Sequence, residues 1–218
     1  MTVSRWEHWH AAYDEPGSSL QRRLGAVRAR VAQALDAQPP GPIPVLSVCA
    51  GQGRDLIPVV AAHPRRDDVR ALLVELDPAN AAVASAAARD AGLAQVRVAR
   101  GDASTTGAYA DVVPVGLALV CGVFGNVPDD DVRHVVGALP TLLRAGAWVI
   151  WTRHRLEPDL TPAVRRWFGE AGFAEEGFDQ DPVFRYGVGT QRLTAPPRPF
   201  EPGVVLFRFR GDGAEAHR

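Results

Sequence analysis

Pro44-Val45-Leu46-Ser47-Val48-Cys49-Ala50-Gly51-Gln52-Gly53-Arg54-Asp55 is the stretch on which the reading of the fold turns. An apolar run that breaks into Gly-x-Gly predicts a buried strand, a tight turn and the start of a helix. An α/β sheet presents its backbone to a nucleotide-like ligand in this way. Gly51 and Gly53 carry no Cβ, so the turn can take positive φ and a ligand can approach the main chain. Gly-x-Gly alone is a weak signal, and its meaning depends on the residues downstream of it.

Leu56 to Ala62 reads as a helix interrupted early by Pro58, and a second strand runs from Val69 to Leu76. In Glu75-Leu76-Asp77-Pro78, Asp77 is a good N-cap with proline in the first helical position, and an alanine-rich helix continues to Gly92. Glu75 lies roughly 20 residues past the glycine turn, the distance at which an acid can accept both ribose hydroxyls of a bound adenosine. A buried strand-end carboxylate without a partner would be costly, which favours a ligand role. A third strand, Val96 to Arg100, alternates as a partly exposed edge and ends at Gly101-Asp102-Ala103, placing Asp102 near an adenine amino group.

The fourth strand, Val115 to Val120, is continuously apolar and therefore central, and the small residues of Cys121-Gly122-Val123-Phe124-Gly125-Asn126 leave room for a ligand. Asp129, Asp130 and Asp131 read as a solvated helix start, not a metal site; the helix is expected to run through Leu143 with a kink at Pro140. A fifth strand, Trp148 to Thr152, carries Arg153-His154-Arg155 at its end, and Thr161-Pro162 caps the next helix. Phe173 to Phe178, Phe184 to Leu193 and Val204 to Arg210 read as strands, the last an edge strand with Phe207 and Phe209 on its buried face. Five strand–helix alternations and then strands with little helix between them predict a doubly wound, mostly parallel sheet closed by an antiparallel hairpin.

Upstream, Trp6, Trp9, His10 and Tyr13 share one face of a short helix, which Asp14-Glu15-Pro16-Gly17 ends. Ser18 or Ser19 can cap a second helix with Leu20, Leu24, Val27, Val31 and Leu35 as its apolar stripe, stopping before Pro39-Pro40-Gly41-Pro42. The expected division is a helical lid or cap over 1–40, a ligand-binding domain over 41–210 and a frayed tail over 211–218.

The chain has 218 residues, 46% of them hydrophobic, enough for one large α/β domain. A net charge of -1 with scattered arginines argues against a nucleic-acid partner. The apolar runs are too short for a membrane span, and the N-terminus lacks a signal-peptide pattern, so a cytoplasmic protein is expected. Cys49 and Cys121 are too few for a disulfide framework or a zinc site. All 24 Lys and Arg residues are arginine, which excludes Schiff-base, pyridoxal-phosphate and P-loop chemistries.

From Val45 to Phe209 the chain resembles a class I S-adenosylmethionine-dependent methyltransferase. The likeness is carried by Val-Cys-Ala-Gly-Gln-Gly, Glu-Leu-Asp-Pro, Gly-Asp-Ala, Arg-Ala-Gly-Ala-Trp and the late Ala-Gly-Phe, in order. Cys-Ala-Gly-Gln-Gly-Arg-Asp is similar to the cofactor loop of a bacterial subgroup. The resemblance implies a Rossmann-like seven-stranded sheet and S-adenosylmethionine as cofactor, with S-adenosylhomocysteine as product. It implies that Ala50, Gly51 and Gly53 line the methionine portion, Glu75 holds the ribose, Asp102 and Ala103 meet the adenine, and Gly122 and Val123 lie beside the sulfonium. Arg23 and Arg54 are candidates for the cofactor carboxylate. Ser47 stands where the family often has an acid, so one usual support of the turn is weakened or replaced.

A protonated methyl acceptor needs a base, and a histidine near its reference pKa suits that task. His10 and His154 are the candidates, with Tyr13 and Arg153 orienting substrate, while His63 and His134 read as surface residues. No Asp/Asn-Pro-Pro-Tyr stands after the fourth strand, which points to a small-molecule acceptor with oxygen, nitrogen and sulfur open. Two alternatives stand: a catalytically silent cofactor-binding protein, and an NAD-dependent oxidoreductase, which Leu56 disfavours where a third glycine is wanted. Oligomeric state is left open.

Overall fold

The computed structural model of the chain describes residues 17–210. Seven strands form one sheet: β1 (Ile43–Val48), β2 (Val69–Glu75), β3 (Val96–Arg100), β4 (Val115–Val120), β5 (Leu143–His154), β6 (Phe173–Asp181) and β7 (Tyr186–Leu193), in the order β3-β2-β1-β4-β5-β7-β6. β1 through β5 pair in parallel, while β7 lies antiparallel between β5 and β6. The chain leaves β1 toward β2 and later returns to its other side as β4. This reversal opens a crevice at the carboxyl ends of β1 and β4, where sheets of this class take ligands.

The helices are α1 (Ser19–Asp36), α2 (Ile57–Ala62), α3 (Pro78–Asp90), α4 (Asp129–Ala138) and α5 (Thr161–Glu170). β1 and β4 are apolar on both faces because helices cover both. Val45, Leu117, Leu119 and Ile150 face a core shared with α1, α2 and α3, while Leu46, Ala118, Val120 and Trp151 face one shared with α4 and α5. Ser18 caps α1, its hydroxyl accepting from the Gln21 amide, and Leu24, Val27, Val31 and Leu35 are buried. α1 packs on β7, β5 and α2 and so belongs to the helix layer of the sheet. No helix among the described residues is long and apolar enough to cross a membrane.

Several local expectations are corrected. Pro58 lies in the first turn of α2, where its missing N–H leaves no bond unmade, so it starts the helix and does not interrupt it. The helix opened by Asp129 stops at Ala138; Pro140 sits in a 3-10 turn, Leu139–Thr141, and β5 already begins at Leu143. A register shift between Val115 and Leu117 absorbs Arg144–Ala147 before the ladder resumes at Trp148. Thr161 is the first residue of α5, not its cap: the Asp159 carboxylate accepts from its amide and its hydroxyl. His63 is buried beside Asp36.

Residues 204–210 form no strand of the sheet. Burial alternates only from Phe207 onward, with Phe207 buried, Arg208 exposed, Phe209 half-buried and Arg210 exposed, while Leu206 beside it is buried as well; among the described residues the segment's only ladder contact is a single bridge between Thr105 and Val205. The segment instead runs over the loops after β3 and β4. The Thr106 amide donates to Val204 O, the Leu206 amide to Ser104 O and the Arg210 amide to Asn126 O.

Candidate active site

The glycine turn is built by three closely spaced exceptions to ordinary backbone geometry. Cys49, Gly51 and Gly53 have φ of 53°, 55° and 68°. For Gly53 the constraint is the protein itself, since a Cβ there would meet Ile57 Cδ1 at 2.5 Å and Leu73 Cδ2 at 2.9 Å. The Ala50 amide donates to Val74 O, and the Gly53 amide to Ala50 O, so the turn folds back against the end of β2.

Glu75 fixes the turn. One carboxylate oxygen accepts from the Gly51 amide at 2.6 Å and the other from the Asp77 amide at 2.8 Å. The two amides offset the cost of burying the carboxylate and tie the glycine turn to the end of β2. A carboxylate has about four lone-pair sites. Each oxygen of Glu75 therefore keeps the capacity to accept a hydroxyl. Asp77 caps α3 by accepting from the Ala79 and Asn80 amides.

Asp102 is exposed at the end of β3 and accepts from the Ser104 amide, and Ala103 beside it is buried with its carbonyl bonded by the Tyr109 hydroxyl. Glu75 and Asp102 converge on Cys49: burial first, then these two charges, push its thiol far above the ordinary value. A thiol held protonated in this way is a poor nucleophile.

On the β4 side, the Gly122 amide donates to the buried Thr152 hydroxyl and the Gly122 carbonyl accepts from the Asn126 side chain. Val123 is fully buried beneath. Thr152 and Asn126 therefore anchor this loop, a task that the sequence alone does not assign to them. The available signal is a polar hydroxyl ending an otherwise apolar strand.

Arg153 is buried behind the loop. Its guanidinium donates to Phe124 O and to Asp129 at 3.2 Å, and Arg210 reaches the same Asp129 oxygen at 3.1 Å. These bonds turn Arg153 toward the protein and make it a support of the loop. His154, half-buried, lies against Gly125, where an added Cβ would come within 3.3 Å of the ring. Burial, then Arg153 and Arg210, hold its pKa below the ordinary 6.5, so the ring is neutral at pH 7. The contact from the Leu156 amide to Nδ1, at 3.4 Å, is too long to lock one tautomer.

Arg54 bonds the Gln52 side chain, and its carbonyl accepts from Arg28. Arg23 lies on the first turns of α1, close enough to Asp55 and Cys121 to influence both. Asp55 ends the glycine stretch, and one of its oxygens is buried with no donor among the described residues. His10 and Tyr13, with the rest of the aromatic face, lie outside the described residues. Among the described residues no cluster of His, Cys, Asp or Glu could hold a metal ion.

Solved structures with this architecture are numerous. The chain is similar to magnesium protoporphyrin IX methyltransferase from Synechocystis PCC 6803, solved with bound SAM, at 13% identity and a TM-score of 0.67, covering 88% of this chain and 92% of that one. It is similar to an O-methyltransferase family protein from Burkholderia thailandensis at 15% identity and 0.65, covering 87% and 60%. A "possible exported protein" from Bordetella parapertussis aligns at 20% identity and 0.61, covering 80% and 68%. No curated protein matches. The family model described as "Putative methyltransferase" matches residues 20–167, from α1 into α5, and the chain belongs to that family.

Proposed function

We propose that the protein transfers a methyl group from S-adenosylmethionine to an oxygen, nitrogen or sulfur atom of a small molecule, releasing S-adenosylhomocysteine. The observation that carries this reading is Glu75, a buried carboxylate joining the glycine turn to the end of β2 with lone pairs to spare for a ribose. Membership of a methyltransferase family and the fold shared with a SAM-bound enzyme support it.

When bound, the cofactor supplies a methyl group made electrophilic by its sulfonium. Ala50, Gly51 and Gly53 would line the methionine portion, Asp102 and Ala103 the adenine, and Gly122 and Val123 the reacting end, with Arg23 or Arg54 toward the carboxylate. The chain's main task is to hold an acceptor in line, and such positioning contributes about 7 to 11 kcal/mol to lowering a barrier. His154 is the acceptor's base, neutral and beside the loop after β4, with Arg153 positioning that loop through Phe124 O. His10 and Tyr13 are proposed to complete the acceptor side from a lid, residues 1–13.

Incubation with methyl-labelled S-adenosylmethionine and fractionated small-molecule extracts tests the reading. A labelled low-molecular-weight product is expected, and its loss in His154→Ala would assign the base. Label that never leaves the cofactor, despite tight cofactor binding, would favour a silent binding protein.

A further inference from the structure

We propose that Tyr186 binds the methyl acceptor together with His154, its hydroxyl donating to the acceptor atom while the histidine takes that atom's proton, and that this pair selects an oxygen acceptor. The proposal rests on the methyl-transfer reading above and narrows it.

β5 and β7 run antiparallel, and His154 stands directly opposite Tyr186. The next pair outward is hydrogen-bonded, the Arg155 amide donating to Arg185 O at 2.6 Å. Bonded and non-bonded pairs alternate along such a ladder, so His154 and Tyr186 form a non-bonded pair, the kind with Cα atoms about 4.5 Å apart and the closest side chains. Residues directly opposite share a face of the sheet, and here it is the face of Thr152 and Val188, away from Arg153. The Tyr186 ring packs against the core on that face, which contains Ile150 and Val188. Beside the pair, the His154 ring lies against Gly125 of the loop after β4, and Thr152 takes the Gly122 amide of the same loop. Behind it, the Arg22 guanidinium of α1 sits 5.0 Å over the Phe184 ring, holding the start of β7 beside the start of α1. The two side chains are therefore set side by side between the β4 loop and α1.

The fold leaves both polar groups available. Among the described residues the Tyr186 hydroxyl has no hydrogen bond, and the single contact to the His154 ring, from the Leu156 amide, is 3.4 Å long. Burial first, then Asp181 and Asp179, push the phenol above its ordinary 10 against Arg22 and Arg23, so it is a donor at neutral pH. His154, facing Arg153, Arg210, Asp159 and Asp129, is neutral and has one ring nitrogen free to accept. Such a pair fits an atom that gives one hydrogen bond and takes another. A hydroxyl does both, a protonated amine has no lone pair for the phenol, and a thiol accepts only weakly. In the transfer the acceptor oxygen gains the methyl group and its proton moves to His154. The electron pair of the broken carbon–sulfur bond stays on the S-adenosylhomocysteine released.

The test uses methyl-labelled S-adenosylmethionine with the small-molecule fraction of a cell extract, and identifies the bond that carries the label. The label is expected on oxygen. Tyr186→Phe removes only the hydroxyl and should slow labelling of that product roughly 10-fold, the worth of one hydrogen bond, with the melting temperature and S-adenosylhomocysteine affinity unchanged. Label on nitrogen or sulfur, or an unchanged rate in Tyr186→Phe, would overturn the proposal and leave the methyl-transfer reading standing. A loss of rate matched by lower S-adenosylhomocysteine affinity or a lower melting temperature would make Tyr186 a packing residue and overturn it equally. A wild-type protein that binds S-adenosylhomocysteine but labels nothing would overturn both.

Discussion

Glu75 serves the protein before it serves any ligand: its two oxygens take the amides of Gly51 and Asp77 and so hold both strand ends in register. A glutamine there keeps one acceptor and turns an N–H donor against one of those amides. Glu75→Gln is therefore expected to lower stability by about 1 to 3 kcal/mol in urea unfolding, and cofactor affinity with it. Asp55 behaves oppositely. Burial raises its pKa from 3.8 to about 6, so the folded protein holds this proton more tightly than the unfolded chain does. The favourable contribution of that proton is fully present below about pH 4, is lost as the pH rises through 6, and amounts to up to about 3 kcal/mol. The melting temperature of cofactor-free Asp55→Asn should accordingly exceed that of wild type above pH 6 and converge with it near pH 4. His154 governs a third pH effect. Because its pKa lies below 6.5, kcat should rise with pH along a limb centred under that value and be flat from pH 7 to 8. His154→Gln should abolish the limb and cost about 100- to 10,000-fold in rate; an unchanged limb would remove His154 as the base.

At the scale of elements, the segment 204–210 departs furthest from its reading in the sequence. Alternation of Phe207 and Phe209 with arginines matches a half-buried strand, and Phe207 is buried, but the partner is a pair of loops. Period-two burial reports which side of an extended chain faces the core and is silent on whether a ladder runs beside it. The segment ties Ser104 and Thr106 after β3 to Asn126 after β4, so it braces two walls of the crevice from outside. Phe207→Ala should cost about 3 to 5 kcal/mol in chemical denaturation. The cofactor loops should loosen with it, seen as faster amide exchange at Ser104–Thr106 and Asn126. The end of α4 escapes the sequence for a related reason: Pro140 marks a disruption, while the length of helix before it depends on where β5 begins to pair with β4.

For the whole molecule, the doubly wound, mostly parallel sheet with its antiparallel end is legible because it rests on local signals: apolar runs of strand length, a Gly-x-Gly turn, an acid at the next strand end and an Asp-Pro cap. β3 and β4 occupy the predicted residues, and β4 is central as its unbroken apolar sequence requires. Features that depend on distant partners are not legible. The sequence offers Arg153 as a residue that orients substrate, and it does not reveal that the guanidinium donates to Phe124 O and Asp129 or that one oxygen of Asp55 is buried without a donor among the described residues. The central claim is that the crevice between β1 and β4 is built for an adenosine bearing an amino acid, not for a dinucleotide. An equilibrium titration of the protein with S-adenosylhomocysteine and, separately, NAD tests it most directly. Saturable one-to-one binding of S-adenosylhomocysteine with no binding of NAD is the predicted result, and binding of NAD in preference to S-adenosylhomocysteine, or of neither, would contradict it.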